Sequence, residues 1–191
     1  KFVVQEYKPF GGDLFSSFMR RNFDYCSTDG YLAFMTPFVW MFIKTYEYLR
    51  EFIVKTKAIT SLIQMEYSAF EEATVPICTF VLRNGIEKEP GLYIKLSDFK
   101  GGMDVQKTMT LEAINNKESN YYFETSVKEL QKIPSFPISY WANHLIYEIF
   151  NNNPTISDYF TVRNGITTGE NERFIRYWFE IDFSNKNKWR P

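Results

Sequence analysis

Residues Gly30–Asn84 read GYLAFMTPFVWMFIKTYEYLREFIVKTKAITSLIQMEYSAFEEATVPICTFVLRN. This stretch contains three short apolar runs, at Tyr31–Thr36, Ala58–Met65 and Val75–Leu82. Between the first two runs, Tyr46–Thr56 repeats apolar residues at helical spacing. Short apolar runs that alternate with a helical pattern are typical of a βαβ unit with a buried parallel sheet. We therefore predict an α/β fold.

The connection between the second and third runs is short and polar. Glu66–Thr74 is predicted to be an exposed loop at the end of a strand, where open α/β sheets place their binding sites. A parallel return needs a crossover of roughly a dozen residues or more. The second and third runs can therefore also pair antiparallel.

Helical patterns flank this stretch on both sides. Asp13 stands at an N-cap position, and the residues after it predict a helix with one buried face. The apolar residues of that face are Leu14, Phe15, Phe18, Met19 and Phe23. In the crossover helix, Tyr46, Leu49 and Ile53 are predicted to face inward and Arg50 outward. A later helix is predicted from one apolar stripe, formed by Ile138, Trp141, Leu145, Ile146, Ile149 and Phe150.

Composition and charge limit the partners and the cellular compartments that we expect for this chain. It has 191 residues and a net charge of −1, so its overall charge does not indicate a nucleic-acid binder. Its two cysteines, Cys26 and Cys78, lie in apolar segments and form neither a disulfide framework nor a metal site, which favours a reducing, cytoplasmic setting. No apolar run has the length of a membrane span. The chain starts at Lys1 without Met, and we expect it to be a fragment.

The character of the sequence changes after the third run. Glycines and polar residues between Gly85 and Gly102 predict a domain boundary, which divides the chain into residues 1–96 and 97–191. Beyond Gly85 we expect an edge strand at Leu92–Leu96, a weak helix at Val105–Asn116 and a polar tail. The second part is predicted to be an incomplete α+β domain.

Several short motifs resemble the amino-methylating, adenine-specific DNA methyltransferases in both order and spacing. The motifs are Asp13-Leu14-Phe15-Ser16-Ser17-Phe18, Gly30–Pro37, Trp40-Met41-Phe42, Leu49-Arg50, Ala69-Phe70-Glu71-Glu72 and Thr79-Phe80-Val81-Leu82. The likeness is to the large single-chain kind found in BREX phage-defence systems and in type IIG restriction–modification enzymes. In that family this stretch forms the second half of a Rossmann-like, S-adenosylmethionine-dependent domain. The tail Gly165–Phe174 resembles the opening of the family's target-recognition region.

The resemblance implies a cofactor site and a site for the target base. Asp13, Leu14 and Phe15 match the segment that lies beside S-adenosylmethionine; as an alternative, Asp13 is an ordinary helix cap and the other two are core. Phe70 matches an aromatic residue that stacks on an adenine flipped out of the duplex. The alternative for Phe70 is packing beneath its own loop. Pro37 and Trp40 border the same cleft or belong to the core.

The resemblance also implies contacts with double-stranded DNA. The predicted DNA-binding residues are Arg163, Thr167, Thr168, Asn171 and Arg173. Their guanidinium, hydroxyl and amide groups suit phosphate oxygens and base edges. A glycine-containing turn held by its own side chains is the alternative.

Two motifs of the family are absent from these 191 residues: the glycine-rich cofactor motif and the Asn-Pro-Pro-Tyr catalytic motif. We therefore predict no catalytic residue here, and no activity without the missing N-terminal half of the domain. The sequence has no Cys/His cluster, so no metal site is predicted either. The parent protein would transfer methyl from S-adenosylmethionine to adenine N6. Two other functions stay open: a non-catalytic module that binds DNA or protein, and a methyltransferase that acts on RNA or protein.

Overall fold

The computed structural model describes residues 2–67, 75–86, 89–163, 169–175 and 177–180. The chain divides into two compact units, Lys1–Asn153 and Pro154–Pro191. The first unit includes a strand beyond the sequence-based boundary at residue 96, because Tyr122–Thr125 pairs with the rest of the sheet. The packing units thus divide later in the chain than the sequence pattern does.

A five-stranded sheet forms the centre of the first unit. Its strands are β1 (Tyr31–Pro37), β2 (Ala58–Gln64), β3 (Ile77–Arg83), β4 (Gly91–Lys95) and β5 (Tyr122–Thr125). Their order in the sheet is β1-β3-β2-β4-β5. β3 is antiparallel to both β1 and β2, whereas β2 and β4 are parallel and β5 is antiparallel to β4.

This topology confirms the α/β fold and corrects the expectation of a parallel sheet. β1 and β2 run in the same direction, as the helical crossover between them requires, but they are not neighbours. β3 lies between them and runs the opposite way. The β2–β3 connection, residues 65–76, is at the lower limit of length for a parallel crossover, and an antiparallel return suits a connection this short.

Among the described residues of the first unit, six α-helices accompany the sheet. They are α1 (Phe2–Glu6), α2 (Leu14–Tyr25), α3 (Glu47–Thr56), α4 (Gly102–Asn115), α5 (Val127–Leu130) and α6 (His144–Asn152). Two 3₁₀ turns, Phe38–Met41 and Lys44–Tyr46, connect β1 to α3. Over the residues that the structure describes, no helix has both the length and the apolar character needed to cross a membrane.

Both faces of the sheet carry apolar packing. The main core contains Leu62 of β2 and Tyr93 of β4, together with side chains of α2 and α3. The next residue of β4, Ile94, belongs to a smaller core on the opposite face, under α4. Adjacent residues of a strand point to opposite faces, so the sheet separates the two cores.

Two predicted helix faces are only partly buried. In α2, Met19 and Phe23 are buried as expected, but Leu14 and Phe18 are exposed. α6 begins at His144, after the cap residue Asn143, so Ile138 and Trp141 precede the helix. The predicted stripe was wrong for α6 because the helix buries Tyr147 and leaves its four apolar residues exposed. Those residues are Leu145, Ile146, Ile149 and Phe150.

The second unit contains three short helical segments within its described part. They are α7 (Ile156–Tyr159), α8 (Asn171–Phe174) and a 3₁₀ turn at Trp178–Glu180. The rings of Tyr177 and Phe179 stack with centroids 5.2 Å apart. Both side chains are exposed.

Candidate functional site

Three chain segments meet where β1 and β2 end. Pro37, the last residue of β1, pairs with Ile77, the first residue of β3. The next residue, Phe38, donates its N–H to Pro76 O at 3.1 Å, and Met65 N–H donates to Ile77 O at 3.0 Å. The loop between β2 and β3 therefore begins and ends at this carboxyl edge of the sheet. Phe70, in that loop, lies outside the described residues.

The N-terminus of α2 lies beside the segment that leaves this edge. The Phe15 ring packs against the ring of Tyr46 with centroids 5.2 Å apart, and Tyr46 follows β1 closely in the chain. Burial raises the pKa of the Tyr46 hydroxyl, and the nearby charge of Asp13 raises it further. Phe15 and Asp13 thus lie beside Tyr46, the residue that precedes α3.

The side chains of Asp13, Leu14 and Phe15 differ in hydrogen bonding and in exposure. Asp13 caps α2, since its Oδ1 accepts the N–H of Leu14 at 2.6 Å. Leu14 is 55% exposed and Phe15 is half-buried. The exposed leucine and the half-buried ring leave apolar surface at the start of α2, whereas the Asp13 carboxylate is engaged in the capping box with Ser16. The core alternative is wrong for Leu14, whereas the capping alternative is confirmed for Asp13.

A buried polar cluster lies beneath the same edge. Thr36 Oγ1 of β1 lies 4.0 Å from Cys78 Sγ of β3. The Tyr140 hydroxyl donates to Gln64 Oε1, at the end of β2, at 2.8 Å. Burial raises the pKa of the Cys78 thiol to about 12, against weaker opposing effects from Trp40 and Thr36, so the thiol is neutral. Sequence reasoning missed this cluster, although polar residues that end apolar strands were a visible signal.

Arg50 fixes the connection that follows β1. The prediction that it faces outward was wrong: the side chain is only 1% exposed. Its Nη1 donates to Trp40 O at 2.9 Å and to Ile43 O at 2.7 Å, and its Nε donates to Ser135 O at 3.0 Å. Burial lowers the pKa of Arg50, and Glu47 opposes that shift. Trp40 is fully buried, which confirms the core alternative for that residue.

The predicted DNA-binding residues are in the second unit. Arg163 and Asn171 are exposed, and Asn171 begins α8. Thr167 and Thr168 lie outside the described residues, and so does the side chain of Arg173. The proposed DNA contacts therefore stay a prediction. In the part of the chain that the structure describes, no group of three His, Cys, Asp or Glu side chains is placed to hold a metal ion.

The chain is similar to several known proteins. Residues 2–70 match the family model described as Eco57I restriction-modification methylase. The adenine-specific methyltransferase PglX of Lacticaseibacillus casei (strain Zhang) is 31% identical over 188 residues, which cover 96% of this chain. The adenine-specific methyltransferase BrxX of Escherichia coli O9:H4 (strain HS) is 25% identical over 201 aligned residues, which cover 100% of this chain. The chain spans only 16% of the length of each of these relatives.

One solved structure supports the fold. It is the methyltransferase subunit of a type I restriction-modification system from Streptococcus thermophilus. The match has a TM-score of 0.55 at 16% identity, and it covers 73% of this chain and 34% of that subunit. At this identity the match shows the fold alone. The sequence matches confirm the resemblance predicted from the motifs: the chain is similar to adenine-specific methyltransferases and, over residues 2–70, to the Eco57I restriction-modification methylase family.

Proposed function

We propose that this chain is part of a DNA adenine-N6 methyltransferase of a restriction–modification or phage-defence system. It would supply the second half of the catalytic domain and the start of the target-recognition region. One observation carries the proposal: Phe15 packs on Tyr46, in the connection that leaves β1, and the Phe70 loop begins and ends at the edge of the sheet where β1 ends. A cofactor and a target base must lie side by side for methyl transfer.

The sheet itself supports the proposal that a further half is needed. β1 is at the edge of the sheet and pairs only with β3 among the described strands. On the face of β1 that points away from the main core, Tyr31 is 62% and Met35 is 60% exposed, and Ala33 between them is also exposed. An open edge with an apolar face is a surface that proteins normally cover. We propose that the N-terminal half of the parent protein pairs with β1 and covers this face.

The residues of this chain would bind and orient the reactants. Leu14 and Phe15 would hold the adenosyl group, with Asp13 beside them, and S-adenosylmethionine would supply the methyl group as a sulfonium. Phe70 would hold the flipped adenine by stacking, which is worth about 1–3 kcal/mol per base. The tail residues would contact duplex DNA. The Asn-Pro-Pro-Tyr motif would come from the missing half, so the chain alone would be inactive.

Two further assignments belong to the same proposal. Residues 1–96 would be catalytic, and residues 97–191 would be linker helices and target recognition. The reducing, cytoplasmic setting is supported by two free cysteines, of which Cys78 is buried and Cys26 half-buried.

The coding DNA immediately upstream of Lys1 tests the proposal at little cost. We expect an Asn-Pro-Pro-Tyr or Asp-Pro-Pro-Tyr codon run within a few tens of residues, preceded by a glycine-rich strand–turn–helix pattern. An in-frame start codon close to Lys1, with neither motif upstream, would contradict it. The chain would then be better explained as a non-catalytic module that binds DNA or protein.

A further inference from the structure

The root of the β2–β3 loop is held by the sheet on two sides. Gln64 O accepts the N–H of Leu96, which follows β4, at 2.8 Å. Met65 N–H donates to Ile77 O of β3 at 3.0 Å. These backbone bonds hold the end of β2 between β4 and β3. Beyond these backbone bonds, the direction in which the loop leaves β2 depends on the side-chain contacts of Gln64 and Glu66.

Gln106 of α4 holds the residue at which the loop leaves the sheet. Its side chain is 1% exposed. Its Oε1 accepts the backbone N–H of Glu66 at 3.1 Å, and its Nε2 donates to Phe99 O at 2.7 Å. A buried amide is costly unless it is hydrogen-bonded, and here both ends of the amide have a partner. The side chain thus links α4 to the first backbone group of the loop.

Tyr140 holds the same root from the other face of the sheet. Its ring stacks on Tyr93 with centroids 4.7 Å apart and planes 10° apart. Its backbone oxygen accepts the Thr125 hydroxyl at 2.8 Å, so the residue is fixed at both ends. From this position its hydroxyl donates to Gln64 Oε1. Gln64 is 5% exposed, and water has little access to the bond.

The two contacts come from opposite faces, because Tyr140 belongs to the main core and α4 covers the smaller one. We propose that Gln106 and Tyr140 are positioning residues, which set the direction in which the loop carrying Phe70 leaves β2. This inference rests on the proposed function, in which Phe70 holds the target base. Displacing a reacting group by about 1 Å can lower a rate by about two orders of magnitude, so a small change at the root would affect transfer.

The chain offers a matched control for Tyr140. The Tyr93 hydroxyl, in the same ring stack, is buried and has no hydrogen-bond partner among the described residues. Tyr140→Phe and Tyr93→Phe therefore each remove one buried hydroxyl from one stacked pair, and only the first releases the loop root. Gln106→Met removes both hydrogen bonds of the Gln106 amide while keeping its length.

The variants are made in the whole protein that carries this chain. Two readouts are measured: hydrogen exchange of backbone amides in residues 64–77, and methyl transfer from tritiated S-adenosylmethionine. The DNA probe is genomic DNA from a host strain that lacks the gene, so it contains unmethylated target sites. For Tyr140→Phe, which loses one hydrogen bond, and Gln106→Met, which loses two, we expect faster exchange in this segment and a kcat lowered by roughly fivefold or more. The KM for S-adenosylmethionine should stay within about twofold, because the cofactor segment is not touched.

A double variant separates positioning from simple stability. Gln64→Leu combined with Tyr140→Phe replaces both partners by apolar groups, which is often nearly neutral for folding. We expect the double variant to recover the wild-type unfolding temperature and not the wild-type kcat. Recovery of both would overturn the proposal, as would equal effects of Tyr93→Phe and Tyr140→Phe on exchange in residues 64–77. If the unaltered protein transfers no methyl, the proposed function fails, and the exchange comparison alone decides the positioning claim.

Discussion

Removal of the Arg50 side-chain charge should destabilise the first unit strongly. Arg50→Met keeps most of the apolar stem and removes three hydrogen bonds to backbone oxygens, at 2.7–3.0 Å. The accepting residues are Trp40 and Ile43, which follow β1, and Ser135. Ser135 has a φ of 66°, in the left-handed region that disfavours a side chain, so its turn depends on such contacts.

The size of the effect follows from burial and hydrogen bonding. A hydrogen bond from a charged donor contributes about 1.5–3 kcal/mol, and Arg50 makes three at 1% exposure. Loss of the buried charge removes a desolvation cost of several kcal/mol, which offsets part of that sum. We expect the free energy of unfolding to fall by about 3 kcal/mol. Arg50→Lys should lower the free energy of unfolding by a smaller amount. One ammonium group cannot occupy the positions of both Nε and Nη1, so only part of the hydrogen bonding is kept.

Guanidinium chloride denaturation of the chain, followed by far-ultraviolet circular dichroism, measures these differences. The matched control is Lys55→Met, which removes one positive charge from the same helix. Lys55 is 51% exposed and pairs with Glu51 at 2.6 Å, so its loss should cost less than about 1 kcal/mol. The account of Arg50 is refuted if Arg50→Met unfolds within 1 kcal/mol of the unaltered chain, or no more easily than Lys55→Met.

Three further predictions concern the cap, the buried thiol and the open sheet face. Asp13→Ala should lower the free energy of unfolding by about 1 kcal/mol and Asp13→Asn by only a few tenths, as measured by denaturation, because asparagine still caps the helix. In the native chain Ellman's reagent at pH 8 should modify Cys26 and leave Cys78 unmodified. Because burial raises the pKa of Cys78 from 9.0 to about 12, its contribution to stability should be complete below pH 9 and be lost as the pH rises to about 12; a flat profile in a Cys78→Ala comparison would contradict this. Met35→Lys should leave the isolated chain unchanged within about 0.5 kcal/mol and should weaken the whole protein, where we expect the face to be covered; equal stability in both would refute the covering.

Much of the fold could be predicted from local pattern, but strand pairing could not be fixed. The apolar runs gave β1, β2 and β3 to within two residues at each end, and Asp13 gave the start of α2. The length of the β2–β3 connection allowed the antiparallel return that the structure has. The position of β3 between β1 and β2 is a tertiary property, and no single run contains it.

The residues that hold the site could not be predicted for a similar reason. Arg50 is charged and lies on the charged face of the predicted crossover helix, so the sequence pattern predicts that its side chain is exposed. Its partners, among them Ser135, lie up to 85 residues away in the chain. Tyr140 and Gln64, 76 residues apart, are joined only by the fold. The cofactor segment at Asp13 was predicted through the resemblance and not through periodicity, which indicates only a helix cap.

We propose that the protein carrying this chain methylates adenine in DNA. Mass spectrometry of nucleosides, from unmethylated genomic DNA that has been incubated with the whole protein and S-adenosylmethionine, measures this activity. We expect N6-methyladenine with the whole protein and none with the 191-residue chain alone. An absence of N6-methyladenine from DNA treated with the folded whole protein would contradict the claim, and N6-methyladenine formed by the chain alone would contradict the need for a second half.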